Sequence, residues 1–176
     1  MDKQTQQLMF SSESNEWRTP QDFYEKLNRT FQFNLDPCAT DDSAKCKKYF
    51  TEADDGLTHS WAGHQVFMNP PYGRGIDKWL EKAFKESENK NTTIVCLIPA
   101  RTDTKYWHKY CMKADEIYFV KGRLKFVQAT DANGKPLSSK ACCNTAPFPS
   151  AVVVFRGPPV EGMARNQVSI STLENK

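Results

Sequence analysis

The sequence predicts an α/β domain on a mostly parallel sheet with an antiparallel last strand. Three observations carry that expectation. Short apolar stretches alternate with segments whose apolar residues recur at helical spacing, the pattern of strands joined by crossover helices. One stretch, TTIVCLIPA (92–100), is continuously apolar, as suits a strand buried on both faces of a parallel sheet. The last two strands lack a helix between them, which makes them antiparallel neighbours.

The elements follow in order. Residues 1–16 are polar and uneven and read as a flexible arm. Thr19 and Pro20 then open a helix, threonine as a cap and proline in the first turn, where a missing N–H costs nothing. Phe23, Tyr24, Leu27 and Phe31 give this helix one apolar face. FNLDP is a short strand stopped by Pro37, and residues 40–60 are polar and irregular. QVFM is a second strand. After it, Ile76, Trp79, Leu80, Ala83 and Phe84 recur at helical spacing with charged residues opposite, the clearest helix in the chain. The buried strand TTIVCLIPA comes next, then a helix marked by Tyr106, Trp107, Tyr110 and Cys111. EIYFV and LKFV are strands around Lys121-Gly122-Arg123. Residues 128–147 read as a loop excursion with a turn at Asn133-Gly134, SAVVVF is the final strong strand, and the tail from Gly157 is polar and frayed. The expected organisation is an arm (1–16), one domain (17–156) and a flexible tail (157–176).

Composition sets limits on function. The 176 residues suit one core, with 39% apolar and 26% charged residues. A net charge of +3 implies no general affinity for polyanions, though a local basic face remains open. No apolar run is long enough to cross a bilayer, and the N-terminus has no signal-peptide pattern. The six cysteines (Cys38, Cys46, Cys96, Cys111, Cys142, Cys143) have no C-x-x-C spacing and form no ligand cluster with His59, His64 and His108. They read as reduced thiols of a cytoplasmic protein, with no metal site.

One stretch carries chemistry: VFMNPPYGRG, residues 66–75. Two prolines stand where a strand ends and a helix begins, so the corner is rigid and the Pro70 carbonyl is free to face a ligand. An amino group conjugated to a ring is a poor nucleophile, because its lone pair is delocalised. Two acceptors fixed on its two N–H groups favour a tetrahedral, nucleophilic nitrogen. The Asn69 side-chain oxygen and the Pro70 carbonyl are those acceptors, Pro71 stiffens the corner, and Tyr72 is placed to stack on the ring. This is electrostatic preorganisation, not acid–base catalysis.

EWRTP, LDPCAT, DDGLTHSW, NPPYG, LIPARTDTKYWH and GRLKF follow one another here as in the phage-type, Dam-like DNA N6-adenine methyltransferases, which the chain resembles from about Asn15 to Phe155. The resemblance implies a Rossmann-like methyltransferase fold and S-adenosylmethionine as cofactor. Its partner would be DNA, with the target adenine flipped out, in the cytoplasm of a bacterial host and encoded by a phage or prophage. It implies that Asn69, Pro70, Pro71 and Tyr72 form the catalytic motif and that Asp36 and Pro37 match the cofactor motif after the first strand. The wider superfamily has D-P-F-x-G-x-G there, whereas this chain reads DPCATDD, without the glycines. Trp17, Thr19 and Pro20 match the N-terminal cofactor segment, near a helix N-terminus that favours an anion. Asp54 or Asp55 would reach the ribose or adenine, with Asp55 favoured by the Gly56-Leu57 that follows. Arg74, Arg101 and Arg123, with Lys135 and Lys140 in the 128–147 excursion, would contact DNA phosphates. Three alternatives remain: a methyltransferase acting on a protein glutamine, one acting on cytosine N4, and a DNA-binding decoy without activity. Oligomeric state stays open, a monomer included.

Overall fold

The computed structural model describes residues 17–127, 143–158 and 168–175. The expected arm (1–16) and most of the 128–147 excursion lie outside the described residues.

Helix α1 (Gln21–Phe31) buries Phe23, Tyr24, Leu27 and Phe31, the face read from the sequence. Its start differs from the expectation. Pro20 is the N-cap residue, its carbonyl accepts from the Tyr24 amide at 3.0 Å, and no side chain caps the helix. The Thr19 hydroxyl is engaged elsewhere, by Asn69.

Three short strands follow: β1 (Leu35–Asp36), β2 (Lys48–Tyr49) and β3 (Gln65–Met68). The polar stretch 40–60, read as irregular, thus contributes β2, which pairs parallel to β1 at its edge. Helix α2 (Ile76–Glu86) buries Ile76, Leu80 and Ala83, and Gly75 at its N-cap has φ 96°, a conformation that favours glycine. Strand β4 (Thr93–Pro99) is buried along its whole length. A short helix α3 (Lys105–Lys109) and a 3-10 turn lead to β5 (Glu116–Lys121). Beyond lie β6 (Lys125–Val127), β7 (Cys143–Thr145), β8 (Ser150–Arg156) and β9 (Ser169–Glu174).

Seven strands form one sheet in the order β2-β1-β3-β4-β8-β5-β9. All neighbours pair parallel except β8, which is antiparallel to both β4 and β5. The SAVVVF strand is therefore the antiparallel one, as expected, but its neighbours are β4 and β5, and the preceding LKFV strand, expected beside it, lies outside this sheet. Strand β8 inserts between two strands instead of closing an edge, because six of its seven residues are buried and an interior position covers both faces. The tail does not simply fray: β9 pairs with β5 over six residues, and the chain's last strand is parallel. Its side chains are almost all exposed. Main-chain pairing to a free edge needs little apolar character, so composition did not reveal it. Lys121 pairs with Glu174 at 3.2 Å, and the Asn175 amide donates to the Arg123 carbonyl at 2.9 Å.

Strands β6 and β7 form a separate antiparallel ribbon. A bridge between Arg18 and Val127 adds the segment before α1 to it, the Val127 amide donating to the Arg18 carbonyl at 2.9 Å. Among the described residues, no helix is long and apolar enough to cross a membrane, and no group of His, Cys, Asp and Glu is arranged to hold a metal. The parallel strands β1, β3, β4 and β5 all end on one edge of the sheet, and Asp36, Asn69, Ala100 and Lys121 stand there.

Candidate active site

Asn69 directly follows β3 and is half-buried, with Pro70 buried behind it and Pro71 exposed. Its side-chain nitrogen donates to the Trp17 carbonyl at 2.5 Å and to the Thr19 hydroxyl at 2.9 Å. A main-chain carbonyl only accepts, so this contact fixes which way the amide faces. The Asn69 Oδ1 is left buried and without a partner. An unsatisfied buried acceptor costs about 1–3 kcal/mol, a penalty that a donor brought to this point would relieve. The sequence-derived acceptor is thus present, oriented and vacant.

Tyr72 is only 5% exposed and does not line the cavity beside Asn69. Its hydroxyl donates to the Leu97 carbonyl at 3.2 Å. Its ring meets Phe126 and Phe148 edge-on, at centroid distances of 6.2 and 5.5 Å. Trp17 packs edge-on against the same two rings at 5.7 and 5.2 Å. Burial pushes the Tyr72 phenol well above its ordinary pKa, so it stays a neutral donor. The expected stacking platform is, in this arrangement, part of an aromatic cage that joins the corner to the N-terminal segment.

A cavity of about 420 Å³ opens between the ends of β1 and β3. Trp17, Thr19, Asp36, Pro37, Asp55, Asn69, Pro70 and Pro71 all line it. Pro20, assigned to the same segment, instead opens α1 and is not on the wall. Asp36 is 4% exposed and accepts from the Lys45 amide at 3.1 Å and the Cys38 amide at 3.4 Å. Burial pushes its carboxyl up to about 6, against the opposing pull of those amides and of the Lys45 charge. Burial in turn lowers the Lys45 ammonium, with Asp36 opposing.

The acidic loop separates the two candidates. The Asp54 carboxylate accepts from the Thr51 amide and hydroxyl, both at 2.8 Å, and these bonds hold it below the usual carboxylate range. Asp55 has φ 52° and lines the cavity, and Asp54 does not. Gly56 explains how the loop comes so close. A Cβ there would lie 1.9 Å from the Pro37 carbonyl oxygen, so only glycine lets the loop press on the corner after β1. The glycine missing from DPCATDD is thus matched by a close approach from another loop. The Trp61 indole donates to the Gly56 carbonyl at 3.0 Å, and buried Glu86 of α2 accepts from the Trp61 amide at 3.0 Å.

Sequence reasoning missed Arg18, Lys45 and Trp79, all on the cavity wall. The Arg18 Nε is buried and has no hydrogen-bond partner. It lies within EWRTP, between two residues that were singled out. Lys45 sits among other lysines, and nothing in the sequence marks it. Trp79 belongs to the apolar pattern of α2 and reads only as core.

Arg74, Arg101 and Arg123 are exposed and follow the ends of β3, β4 and β5, on the cavity's edge of the sheet. Lys135 and Lys140 lie outside the described residues.

Residues 6–157 match the model of the family described as DNA N-6-adenine-methyltransferase (Dam). The chain is similar to a DNA N-6-adenine-methyltransferase of Haemophilus phage HP1 (strain HP1c1), with 31% identity over 133 residues, 71% of this chain and 76% of that protein. It is 27% identical over 141 residues to a DNA N-6-adenine-methyltransferase of Escherichia phage T1, which covers 68% of this chain and 58% of the phage protein. A putative methyltransferase of Escherichia coli (strain K12) shares 37% identity over 65 residues, 33% of this chain and 71% of that protein.

Proposed function

The chain belongs to the DNA N-6-adenine-methyltransferase (Dam) family, and from that premise we propose that it methylates the N6 amino group of an adenine flipped out of DNA, with S-adenosylmethionine as donor. The observation that carries this reading is the buried, unpartnered Oδ1 of Asn69, which lines the cavity together with Pro70.

The cavity residues fit such a donor. Asp36 is a buried carboxylate suited to an ammonium group. Arg18 presents an unpartnered buried Nε and Lys45 a second cation, both suited to a carboxylate. Asp55 lies on the wall where hydroxyls of a ribose would find an acceptor. When bound, S-adenosylmethionine supplies a methyl group on a positively charged sulfur.

The protein's own work is to hold the amino group. The Asn69 Oδ1 and the Pro70 carbonyl accept its two N–H bonds and draw the nitrogen toward a tetrahedral form. Neither acceptor is a base at neutral pH, so the acceleration comes from fixed dipoles, and the proton that the methylated nitrogen sheds would pass to solvent. The amino group of a paired, stacked adenine cannot reach this corner, so the base must leave the helix. Arg74, Arg101 and Arg123 would hold phosphates on the adjoining surface, and Lys135 and Lys140 would extend that contact. The relatives' names favour adenine over cytosine or a protein amide, and the vacant polar groups of the cavity favour a working enzyme over a decoy.

The test is transfer of a tritiated methyl group to DNA from a host lacking adenine methylation. Asn69→Ala is expected to lower turnover by roughly two to three powers of ten and to leave donor binding nearly intact. Near-normal turnover by that variant would overturn the role given to the corner.

A further inference from the structure

We propose that Thr19 is a positioning residue for Asn69, acting on turnover by locking the amide, not by holding the cofactor. This rests on the reading of the corner given above. The side-chain nitrogen of Asn69 has two N–H bonds, and the structure gives each an acceptor: the Trp17 carbonyl at 2.5 Å and the Thr19 hydroxyl at 2.9 Å. One contact alone leaves the amide free to rock, because the terminal torsion of asparagine is broad. Two contacts fix its plane, and with it the direction in which the vacant Oδ1 points.

Thr19 is placed for this and not for capping. It is 3% exposed and makes no side-chain capping bond to α1. Its segment is itself held from behind. The Val127 amide of the β6–β7 ribbon donates to the Arg18 carbonyl at 2.9 Å, and the Trp17 ring meets Phe126 and Phe148 edge-on. The N-terminal segment therefore works as a clamp on the catalytic amide, anchored by a ribbon far along the chain.

The experiment compares Thr19→Val, which keeps the shape and loses the acceptor, with Thr19→Ser, Asn69→Ala and the Thr19→Val/Asn69→Ala double variant. Turnover is read with tritiated S-adenosylmethionine on DNA lacking adenine methylation, and binding by calorimetry with S-adenosylmethionine. Thr19→Val is expected to lower kcat roughly tenfold to a hundredfold, the scale of a misaligned reacting group, with cofactor Kd near that of the native protein. Thr19→Ser restores most of the turnover. The double variant is no slower than Asn69→Ala, since Thr19 acts through that amide. A Thr19→Val enzyme with weakened cofactor binding and unchanged kcat at saturating cofactor overturns the proposal and assigns the hydroxyl to the cofactor. A double variant whose losses multiply overturns it as well. Early melting of Thr19→Val leaves this comparison decisive, because general damage adds to the Asn69→Ala loss and positioning does not. Near-normal turnover by Asn69→Ala alone would instead remove the reading of the corner on which the proposal rests.

Discussion

Lowering the pH from about 7 to about 5 is expected to weaken S-adenosylmethionine binding about tenfold, through one carboxyl group. Burial pushes Asp36 up to about 6. If its carboxylate holds the cofactor's ammonium, only the ionised form binds well. The apparent Kd then scales with one plus the ratio of protonated to ionised Asp36, which is about 1.1 at pH 7 and about 11 at pH 5. The cofactor's amino group, with an ordinary pKa near 8, stays mostly protonated over this range. Stability runs the other way. A carboxyl whose folded pKa is raised contributes stability that is full below its unfolded value and lost as pH rises through the folded one. For Asp36 the window is from 3.8 to about 6. Between pH 7 and 5, Asp36 should therefore make the unliganded protein more stable while it makes the complex weaker. Calorimetric titration gives the first trend, and thermal melting compared with Asp36→Asn gives the second. A flat Kd across this range, or an Asp36→Asn protein with the native slope, would refute the assignment of Asp36 to the ammonium.

Three further outcomes follow from the same geometry. Gly56→Ala would place a methyl group 1.9 Å from the Pro37 carbonyl, so the acidic loop must move; a loss of about 1–3 kcal/mol by thermal melting should accompany weaker cofactor binding, and native values of both would contradict the packing. Tyr72→Phe removes the hydroxyl bonded to Leu97 and keeps the caged ring, so chemical denaturation should show a loss of about 1 kcal/mol with turnover largely retained. Lys135→Ala with Lys140→Ala should weaken DNA binding and make its salt dependence shallower, by roughly one unit of slope for each phosphate that is no longer neutralised, with cofactor affinity unmoved; an unchanged slope would leave recognition to Arg74 and Arg101.

Long periodic elements were legible in the sequence. Helix α1 and strands β4 and β8 bury the residues that their patterns marked, and α2 buries Ile76, Leu80 and Ala83 while Trp79 and Phe84 stay half-buried, because periodicity reports the inward face. Strands β2, β7 and β9 were not legible: β2 has two residues, β7 is three residues inside the 128–147 stretch read as a loop, and β9 is exposed and held by main-chain bonds that leave no side-chain signal. The corner and the first-strand acid could be found because they sit at strand ends, and the structure brings Asn69, Asp36 and Asp55 into one cavity. Arg18 and Lys45 were hidden, since their place on the wall depends on long-range folding. Thr19 shows the same limit. A threonine before a proline and an apolar helix face reads locally as a cap. Only the tertiary position of Asn69, fifty residues away, claims its hydroxyl. The Tyr72 cage likewise depends on Phe126 and Phe148, which no local pattern links to the corner.

The most direct measurement is the chemical identity of the product. DNA free of methylated bases is incubated with the protein and S-adenosylmethionine carrying a deuterated methyl group, then digested to nucleosides and analysed by mass spectrometry. The expected result is deuterated N6-methyladenine, formed by the native protein and reduced by roughly two to three powers of ten with Asn69→Ala. Label on cytosine or on protein instead of adenine, or equal label from the Asn69→Ala variant, would contradict an adenine amino group held by Asn69 and Pro70.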